Sequence, residues 1–333
     1  MRGYVLERYG DTSAMSLRGV AEPQAGPGMV LVRVHAAGLN PVDYKVREGK
    51  MRLINRLRLP LVAGSELAGV VEQVGPGVTR FAPGDRVFAR TDKSRMGAFA
   101  DYAAVEESLL AKFPDELDFR HAAGLPLAGL TALQGLRDQL GVGPGGRLYI
   151  SGGAGGVGTL AIQIAKALGA EVATTASGRG EELVRKLGAD HVIDYKKERA
   201  QDALQGYDYA FDLIGGDELT GAFHVVRPGS TVLSIAGVPE PSTALDLDRG
   251  PLLEALFWLA SAKIRREAHR RGVRYRYRFM HPSGVDLEFL GGLAQREDLS
   301  VVVDRVYSLE QIAEAFAYLE QGRAKGKVIV EMV

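Results

Sequence analysis

The stretch SGGAGGVG at 151–158 is the clearest chemical signal in the chain. It contains the spacing Gly153-x-Gly155-x-x-Gly158, follows the apolar run RLYIS and precedes the helix-forming run TLAIQIAKALG. Glycines permit a tight turn and a close backbone approach to a pyrophosphate, whose charge then lies at a helix N-terminus. The pattern therefore predicts a dinucleotide-binding loop, and a plain glycine-rich turn is the alternative. The predicted cofactor-binding residues of this loop are Gly153, Gly155, Gly156, Val157 and Gly158.

A second stretch, TTASGRG at 174–180, lies about 20 residues past the loop, where NAD-binding proteins place an acidic residue on the ribose. In this chain the stretch 174–180 contains no Asp or Glu, and the next acidic residue is Glu181. Ser177 can donate a hydrogen bond to a phosphate, and the guanidinium of Arg179 suits a phosphate dianion. The stretch predicts a site for the 2′-phosphate of NADPH, to which Tyr195, after the next predicted strand, adds a hydroxyl. The alternative is that Arg179 is a solvated turn residue.

These motifs need a scaffold of alternating strands and helices, and the chain from Gly141 onward has that rhythm. The strand RLYIS is followed by a helix with Leu160, Ile164 and Leu168 on one face and Gly169 as its C-terminal cap. EVATT, ADHVIDY, YAFDLIGG and STVLSIAG read as further strands, with EELVRKLG as a helix. This alternation predicts a doubly wound parallel sheet of the Rossmann type.

The rest of the chain reads differently. Residues 1–121 consist of short alternating runs cut by glycine and proline, which favours β-rich structure. Near the end, LEQIAEAFAYLEQG predicts an amphipathic helix and GKVIVEMV a last strand. We expect this last pair to pack back onto the N-terminal β-rich domain.

Composition limits the function classes. The chain has 333 residues, enough for about two domains, and its 41 basic and 41 acidic residues cancel. No global charge therefore attracts nucleic acid or a membrane, and no nucleic-acid partner is expected. The absence of cysteine excludes disulfides and thiolate chemistry and suits a reducing compartment. Because MRGYVLERYGD lacks an apolar secretion segment and the longest strongly apolar run falls short of the roughly 20 residues of a spanning helix, we expect a cytoplasmic protein.

Several motifs resemble those of the medium-chain dehydrogenase/reductase superfamily over nearly the whole chain. They are AGLNPVDYK, GSELAGVVEQVGPGVTRFAPGDRV, GAFADYAAV, LPLAGLTAL, SGGAGGVG and KLGADHVIDY. Within it, NPVDYK, ELVRKLGADHVIDY and GRAKGKVIV look most similar to the zinc-independent quinone oxidoreductase and alkenal reductase branch.

The resemblance implies an α/β protein with a GroES-like, β-rich catalytic domain (1–122 and 284–333) and an NADPH-binding Rossmann domain (123–283). It also implies a cleft between the domains, where nicotinamide meets substrate, and a homodimer formed through the Rossmann sheet edge.

The resemblance also implies individual site residues. Asn40, Asp43 and Lys45 would line the reaction cleft, and Tyr44 is a further candidate; an exposed turn position is the alternative for Lys45, and half-buried packing for Tyr44. Thr131 and Gly237 would approach the nicotinamide. Lys327 would reach the cofactor phosphates, and a surface position is its alternative.

Departures from the zinc alcohol dehydrogenases bear on the chemistry. Those enzymes have a ligand cysteine where this chain has Asn40-Pro41-Val42-Asp43, and Gly-His-Glu where it has Gly64-Ser65-Glu66. We therefore expect no metal and a hydride transfer from NADPH to quinones or α,β-unsaturated carbonyls. Two alternatives remain: an NADPH-binding sensor or partner-binding protein with little turnover, and an enoyl-thioester reductase. The physiological substrate and the proton donor are not readable from the sequence.

A basic segment, KIRREAHRRGVRYRYR at 263–278, fits none of these roles. It holds eight Lys or Arg residues against one Glu and directly follows the apolar LLEALFWLA. One interpretation is an amphipathic helix and an edge strand whose charges meet acids elsewhere. The other is contact with an anionic lipid surface or RNA.

Overall fold

The structure is a computed structural model that describes residues 1–55, 57–247 and 250–332. By their contacts the residues form two compact units, unit 1 (Met1–Leu130 with His281–Val333) and unit 2 (Thr131–Met280). The bounds predicted from the family's domains, 1–122 with 284–333 and 123–283, stay a prediction. Among the described residues, no helix has the length and apolarity needed to cross a bilayer.

The strands alternate with helices only in the second half of the chain. The strands are β1 (Arg2–Leu6), β2 (Met15–Gly19), β3 (Met29–Leu39), β4 (Leu61–Val62), β5 (Glu66–Val74), β6 (Arg86–Arg90), β7 (Tyr102–Glu106), β8 (Leu110–Lys112), β9 (Arg147–Ile150), β10 (Glu171–Ala176), β11 (His191–Asp194), β12 (Tyr207–Asp212), β13 (Val226–Ser234), β14 (Arg274–Tyr277), β15 (Val303–Ser308) and β16 (Lys327–Glu331).

The helices cluster in the middle and near the end of the chain. They are α1 (Pro41–Arg47), α2 (Phe119–Gly124), α3 (Pro126–Leu133), α4 (Gly156–Ala167), α5 (Arg179–Lys186), α6 (Ala200–Ala203), α7 (Gly216–Val225), α8 (Pro241–Asp246), α9 (Pro251–Ala260), α10 (Ala262–Arg270), α11 (Gly284–Gln295) and α12 (Ile312–Glu320). A π-helical stretch, Gln134–Leu140, follows α3.

Unit 1 is built on two sheets. The larger has the strand order β15-β16-β3-β5-β6-β8 with β7 also paired to β3, and the smaller has the order β2-β1-β4. The pairing is antiparallel except between β15 and β16. The predicted return of the C-terminal helix and strand is confirmed, because β16 pairs with β3 and Phe316 of α12 lies in the same buried core.

Unit 2 holds a six-stranded, fully parallel sheet. Its order, β11-β10-β9-β12-β13-β14, is that of a dinucleotide-binding doubly wound fold, and it reverses between β9 and β12. The predicted parallel sheet is therefore confirmed. In such sheets ligands bind beyond the carboxyl ends of the strands at this reversal, where the glycine-rich stretch lies.

Two details of the fold go beyond what the sequence predicted. Residues 1–121 are β-rich as predicted, but the segment after Asn40 forms helix α1, which Pro41 can begin because a first-turn residue needs no N–H partner. Helix α4 was predicted with Leu160, Ile164 and Leu168 on one face; Leu160 and Ile164 are buried, but so is every other residue from Gly158 to Ala165, and Leu168 is the half-buried C-cap. A helix buried on all sides shows no amphipathic pattern that would reveal this.

Candidate active site

One end of the larger sheet of unit 1 gathers a group of charged and polar side chains. Strands β16, β3, β5 and β6 are neighbours, and the pairs Gly38↔Glu66 and Glu66↔Arg90 bring the end of β3, the start of β5 and the end of β6 together. Lys327 begins β16, which pairs with the end of β3. The group, here called the acid–base cluster, comprises Asn40, Asp43, Ser65, Glu66, Arg90 and Lys327.

Glu66 is the centre of the acid–base cluster. Its side chain is fully buried, and one oxygen lies 2.7 Å from Nζ of Lys327 and accepts a hydrogen bond of 2.6 Å from Nδ2 of Asn40. Lys327 also donates to Oδ1 of Asn40. The other carboxylate oxygen accepts from the backbone N–H of Leu127, 2.5 Å away in the first turn of α3. Glu66, Asn40 and Lys327 therefore form a closed, fully hydrogen-bonded triangle, the arrangement that a buried ion pair requires.

The backbone makes room for this triangle through one glycine. A Cβ atom added to Gly38 would collide with Oε1 of Glu66 and would lie 2.8 Å from the backbone oxygen of Ala123. No side chain larger than hydrogen fits there without moving Glu66 or the backbone of α2.

Asp43 lies beside the triangle, on helix α1. One carboxylate oxygen accepts from the backbone N–H of Asn40 at 2.8 Å, and the other accepts from the hydroxyl of Ser65. Burial raises the pKa of Asp43 to about 6, although both hydrogen bonds and the charge of Arg90 favour the carboxylate. A buried acid with such a pKa can hold and release a proton near neutral pH.

Arg90 supplies the second positive charge of the cluster. Its Nη1 donates to the backbone oxygens of Ser65, at 3.3 Å, and Thr91, while its buried Nε has no acceptor among the described residues. Burial lowers the pKa of the guanidinium, although the carboxylates of Asp43 and Glu66 oppose that shift. The cluster thus combines the carboxyl groups of Asp43 and Glu66 with the cations of Lys327 and Arg90. Among the described residues, the buried Nε–H of Arg90 is a hydrogen-bond donor without an acceptor.

Sequence reasoning missed Ser65, Glu66 and Arg90 as site residues. Ser65 and Glu66 were noted only as the residues that stand where zinc enzymes have His and Glu, and Arg90 was visible only as the polar end of the apolar run RVFAR. A glutamate at the start of an otherwise apolar strand is a weak signal, because only the tertiary fold supplies the lysine that pairs with it. Lys327 is buried in the cluster, so its alternative as a surface lysine was wrong.

The other two predicted catalytic residues lie on the same helix but outside the cluster. Lys45 and Tyr44 are half-buried on α1, and Tyr44 packs against the core of unit 1. Within the described ranges, no hydrogen bond or ion pair joins the ammonium of Lys45 to another side chain. Asn40 and Asp43 are therefore the predicted catalytic residues that the fold brings together, and roles for Lys45 and Tyr44 stay predictions.

In unit 2, the glycine loop has the geometry that a phosphate-binding turn needs. Gly152 has a φ of +72°, and its N–H donates to the hydroxyl of Thr175 at 2.9 Å. Gly155 precedes α4 as its N-cap, followed by Gly156 and Val157 in the first helical turn. The first N–H groups of α4, which have no partner within the helix, are thereby placed at the end of β9.

Two glycines of the loop are required by close packing. A Cβ atom on Gly158 would lie 2.7 Å from Cα of Gly153, and one on Gly153 would lie 2.9 Å from Cγ2 of Thr174. In contrast, a Cβ atom on Gly155 would have 3.5 Å to its nearest neighbour, the oxygen of Gly152. Gly158 and Gly153 therefore hold strand and helix together, while a Cβ atom on Gly155 would make only an ordinary van der Waals contact.

The predicted phosphate site follows the neighbouring strand. β10 pairs with β9 in parallel register, Thr174 beside Ile150, so the loops after both strands lie at the same edge of the sheet. Ser177 is buried there, Gly178 takes a φ of +55°, and the exposed Arg179 begins α5. Tyr195, 51% exposed, follows β11, which pairs with β10 at the same edge. The fold brings Ser177, Arg179 and Tyr195 to one edge of the sheet, next to the glycine loop.

Asp212 fixes the strand ends at the reversal of the sheet. It is fully buried and accepts from the hydroxyls of Ser151, at 2.9 Å, and Ser234, at 2.6 Å. The hydroxyl of Ser234 accepts from the N–H of Gly237 at 2.7 Å. These bonds hold the predicted nicotinamide-side residue Gly237 beside the ends of β9 and β12. Thr131, the other such residue, is buried at the start of unit 2, and its predicted role is untested.

Comparisons with known proteins agree with this architecture. The family model described as alcohol dehydrogenase GroES-like domain matches residues 26–115, and the one described as zinc-binding dehydrogenase matches residues 187–330. The chain is 36% identical to an NADPH-dependent alkenal/one oxidoreductase, chloroplastic, of Arabidopsis thaliana, over 99% of this chain and 79% of the relative. It is 34% identical to a 2-methylene-furan-3-one reductase of Solanum lycopersicum, over 100% and 79%.

A solved structure shows the same fold. The quinone oxidoreductase of Coxiella burnetii superposes with a TM-score of 0.85 at 28% identity, covering 100% of this chain and 99% of that one. Both units, with their sheets, are therefore shared with a quinone oxidoreductase.

Proposed function

Because the chain belongs to the quinone oxidoreductase and alkenal reductase branch of the medium-chain dehydrogenase/reductase superfamily, we propose that it reduces quinones or α,β-unsaturated carbonyls with NADPH. The observation that carries the proposal is the edge of the sheet in unit 2. The glycine loop there is followed, on the neighbouring strand, by Ser177 and Arg179 where an acid would select NADH.

The residues present fit the cofactor. The N-terminus of α4 with Gly153, Gly155, Gly156, Val157 and Gly158 would hold the pyrophosphate, because its N–H groups and helix dipole favour negative charge. Ser177, Arg179 and Tyr195 would hold the 2′-phosphate. Thr131 and Gly237 are the proposed contacts of the nicotinamide side. When bound, NADPH supplies a hydride.

The acid–base cluster is the proposed source of charge stabilisation and of a proton. Hydride addition leaves negative charge on the oxygen of a quinone or enone, and one proton must then be added to give the neutral product. Asn40, Asp43, Tyr44 and Lys45 are the proposed catalytic residues. Among them Asp43, with its pKa of about 6, is the group best able to hold a proton near neutral pH.

Lys327 lies in the acid–base cluster, whereas the family resemblance implied that it reaches the cofactor phosphates. Its ammonium is already shared by Glu66 and Asn40 and is 3% exposed. A role toward the cofactor phosphates remains a proposal and would require Lys327 to leave or share these partners.

We propose that the chemistry requires no zinc. The chain contains no cysteine, and the side chains of the cluster include the cations of Lys327 and Arg90, so a divalent ion would meet positive charge and too few free donors. Activity that survives treatment with a chelator, with no zinc found by elemental analysis, is the expected result.

The proposal includes a homodimer and a cytoplasmic location. Among the described strands, β14 pairs only with β13, so its outer edge is open to a second copy. The absence of cysteine suits a reducing compartment, and the balanced charge favours no nucleic-acid partner. Light scattering measures the mass in solution, and cell fractionation tests the location.

The central experiment follows NADPH absorbance with chelator-treated protein. A quinone, a short 2-alkenal and a cyclic enone are compared as acceptors, with NADH as the control. Turnover that prefers NADPH is expected, and the best acceptor separates quinone from double-bond chemistry. Tight NADPH binding without turnover of any acceptor contradicts the proposal in favour of a sensor, and turnover of an enoyl thioester alone would favour an enoyl-thioester reductase.

A further inference from the structure

Exposed apolar side chains are concentrated in one short segment of unit 2. Five of the twelve exposed large apolar residues of the described chain lie between Leu245 and Leu259. In helix α9, only Phe257 of ten residues is buried, while Leu252 and Leu259 are 86% and 66% exposed. Soluble proteins rarely expose such a patch unless another surface covers it.

The basic helix α10 continues directly from α9. Ser261 joins the two, and helical hydrogen bonds of 2.9 Å run through it, from its own N–H to Phe257 and from the N–H of Arg265 to Ser261. Helical spacing is therefore kept across the junction. Counting steps of four and three places six exposed residues on one face, here called the α9–α10 stripe: Leu252, Leu256, Leu259, Lys263, Arg266 and Arg270.

The two halves of this stripe differ in chemistry. Its first half is leucine and its second half is basic. In the described part of the chain, none of Lys263, Arg266 and Arg270 forms an ion pair with an acid. Two arginines further along the basic segment behave differently: Arg276 of β14 lies 3.4 Å from Glu240, and Arg278, just after that strand, lies 2.7 Å from Asp246. The interpretation that the basic segment meets acids elsewhere is thus right for Arg276 and Arg278 and wrong for the three exposed cations of the helix.

Two possible partners are disfavoured by the geometry. Single-stranded RNA would use the tyrosines of the segment for base stacking, but Tyr275 and Tyr277 are buried, and the hydroxyl of Tyr275 donates to Val238 at 2.6 Å. A second copy on this face would bring two unpaired basic arrays together. Exposed leucines beside unpaired basic side chains instead complement a partner with an anionic outer layer and an apolar layer beneath it.

We propose that the α9–α10 stripe docks this protein peripherally on an anionic lipid bilayer. The leucines enter the boundary of the acyl chains, and Lys263, Arg266 and Arg270 contact headgroup phosphates. Trp258 lies beside the stripe, 54% exposed, with the guanidinium of Arg265 5.5 Å from its ring centre. An indole in this position suits the interface between water and lipid.

The experiment uses the fluorescence of the native protein, because Trp258 is the only tryptophan of the chain. Vesicles of phosphatidylcholine with phosphatidylglycerol should shift its emission to shorter wavelength and sediment the protein, most strongly at low ionic strength. Vesicles of phosphatidylcholine alone should do neither. The pair Leu252→Glu with Leu259→Glu, and separately Arg266→Glu with Arg270→Glu, should each weaken binding by about tenfold or more.

Matched controls separate the stripe from general effects. Val285→Glu changes an equally exposed apolar residue elsewhere, and Arg323→Glu changes an exposed arginine elsewhere. Neither should alter vesicle binding, and all variants should keep the unfolding temperature of the native protein.

Three results would overturn the proposal. One is the absence of any emission shift with anionic vesicles at low ionic strength. Another is a dimer in vesicle-free solution that dissociates when Leu252 and Leu259 are replaced by glutamate, since a second copy would then cover the stripe. The third is tight binding of a labelled single-stranded RNA together with no vesicle binding.

Discussion

The glycine loop of unit 2, the proposed phosphate site, and the acid–base cluster of unit 1 are two sites for charge that are built by different means. The loop presents backbone N–H groups and relies on glycines from one short stretch, 151–158. The cluster uses side chains from three strands, from helix α1 and from two positions beside strand ends, with Lys327 meeting Glu66 across 261 positions of sequence. A backbone site can therefore be read from local sequence, while a side-chain site exists only after the sheet has formed.

The comparison predicts that single substitutions lower the free energy of unfolding more in the cluster than in the glycine loop. Lys327→Met leaves the carboxylate of Glu66 buried without its partner, so the free energy of unfolding should fall by about 3–5 kcal/mol. Urea denaturation measures the loss. Adding Glu66→Gln should restore much of it, because the amide carries no charge.

An exposed ion pair is the control for that prediction. Lys186 lies 2.7 Å from Glu182, with the side chains 72% and 75% exposed. Lys186→Met should change the free energy of unfolding by less than about 1 kcal/mol. An equal effect of the two lysine substitutions would show that the cluster is not held by its buried charge pair.

The pH dependence of stability tests the raised pKa of Asp43 in the cluster. Folding raises the pKa of Asp43 from 3.8 to about 6, so the folded state binds the proton more tightly than the unfolded state. The contribution of this proton to stability is present below pH 3.8 and is lost as the pH rises through about 6. Relative to Asp43→Asn, the native protein should therefore lose about 3 kcal/mol across that range.

The measurement for Asp43 is the free energy of unfolding of both proteins at several pH values. Taking the difference between them removes the titration of all other groups. A constant difference over the range would mean that Asp43 is not shifted by burial.

Within the glycine loop, the comparison distinguishes packing from ligand contact. Gly158→Ala should lower the free energy of unfolding by about 1–3 kcal/mol, because its Cβ would meet the backbone of Gly153. Gly155→Ala, whose added Cβ would make only an ordinary contact, should leave the unfolding temperature unchanged and weaken NADPH binding. Calorimetric unfolding with and without NADPH measures both, and equal destabilisation by the two substitutions would contradict the assigned roles.

The smallest expected effect concerns the choice of cofactor. Arg179→Ala removes a charged donor from an exposed position, so NADPH binding should weaken about tenfold while NADH binding is unchanged. Arg185→Ala, in the last turn of the same helix, is the matched control. Fluorescence titration with both cofactors measures the ratio, and equal losses for NADPH and NADH would remove Arg179 from the phosphate site.

Most of unit 2 was predictable, and its particular elements show why. RLYIS, EVATT and ADHVIDY are strands separated by helices, and Gly169, with a φ of +83°, ends α4 as its position indicated. The basic segment was predictable in form, as a helix and an edge strand, but not in charge pairing. Which arginine pairs with Glu240 depends on where α8 packs, and the local amino-acid pattern does not predict that position.

The sequence by itself determined the two kinds of architecture, the glycine loop and the absence of an acid after β10, because turns, periodicity and glycine requirements act over a few residues. Only the tertiary structure decided that Glu66, Asn40 and Lys327 form one buried triangle and that Asp43 has a raised pKa. It also decided that α9 leaves its leucines uncovered. The physical reason is that burial and charge pairing depend on neighbours far apart in the chain, which meet only when the sheets assemble.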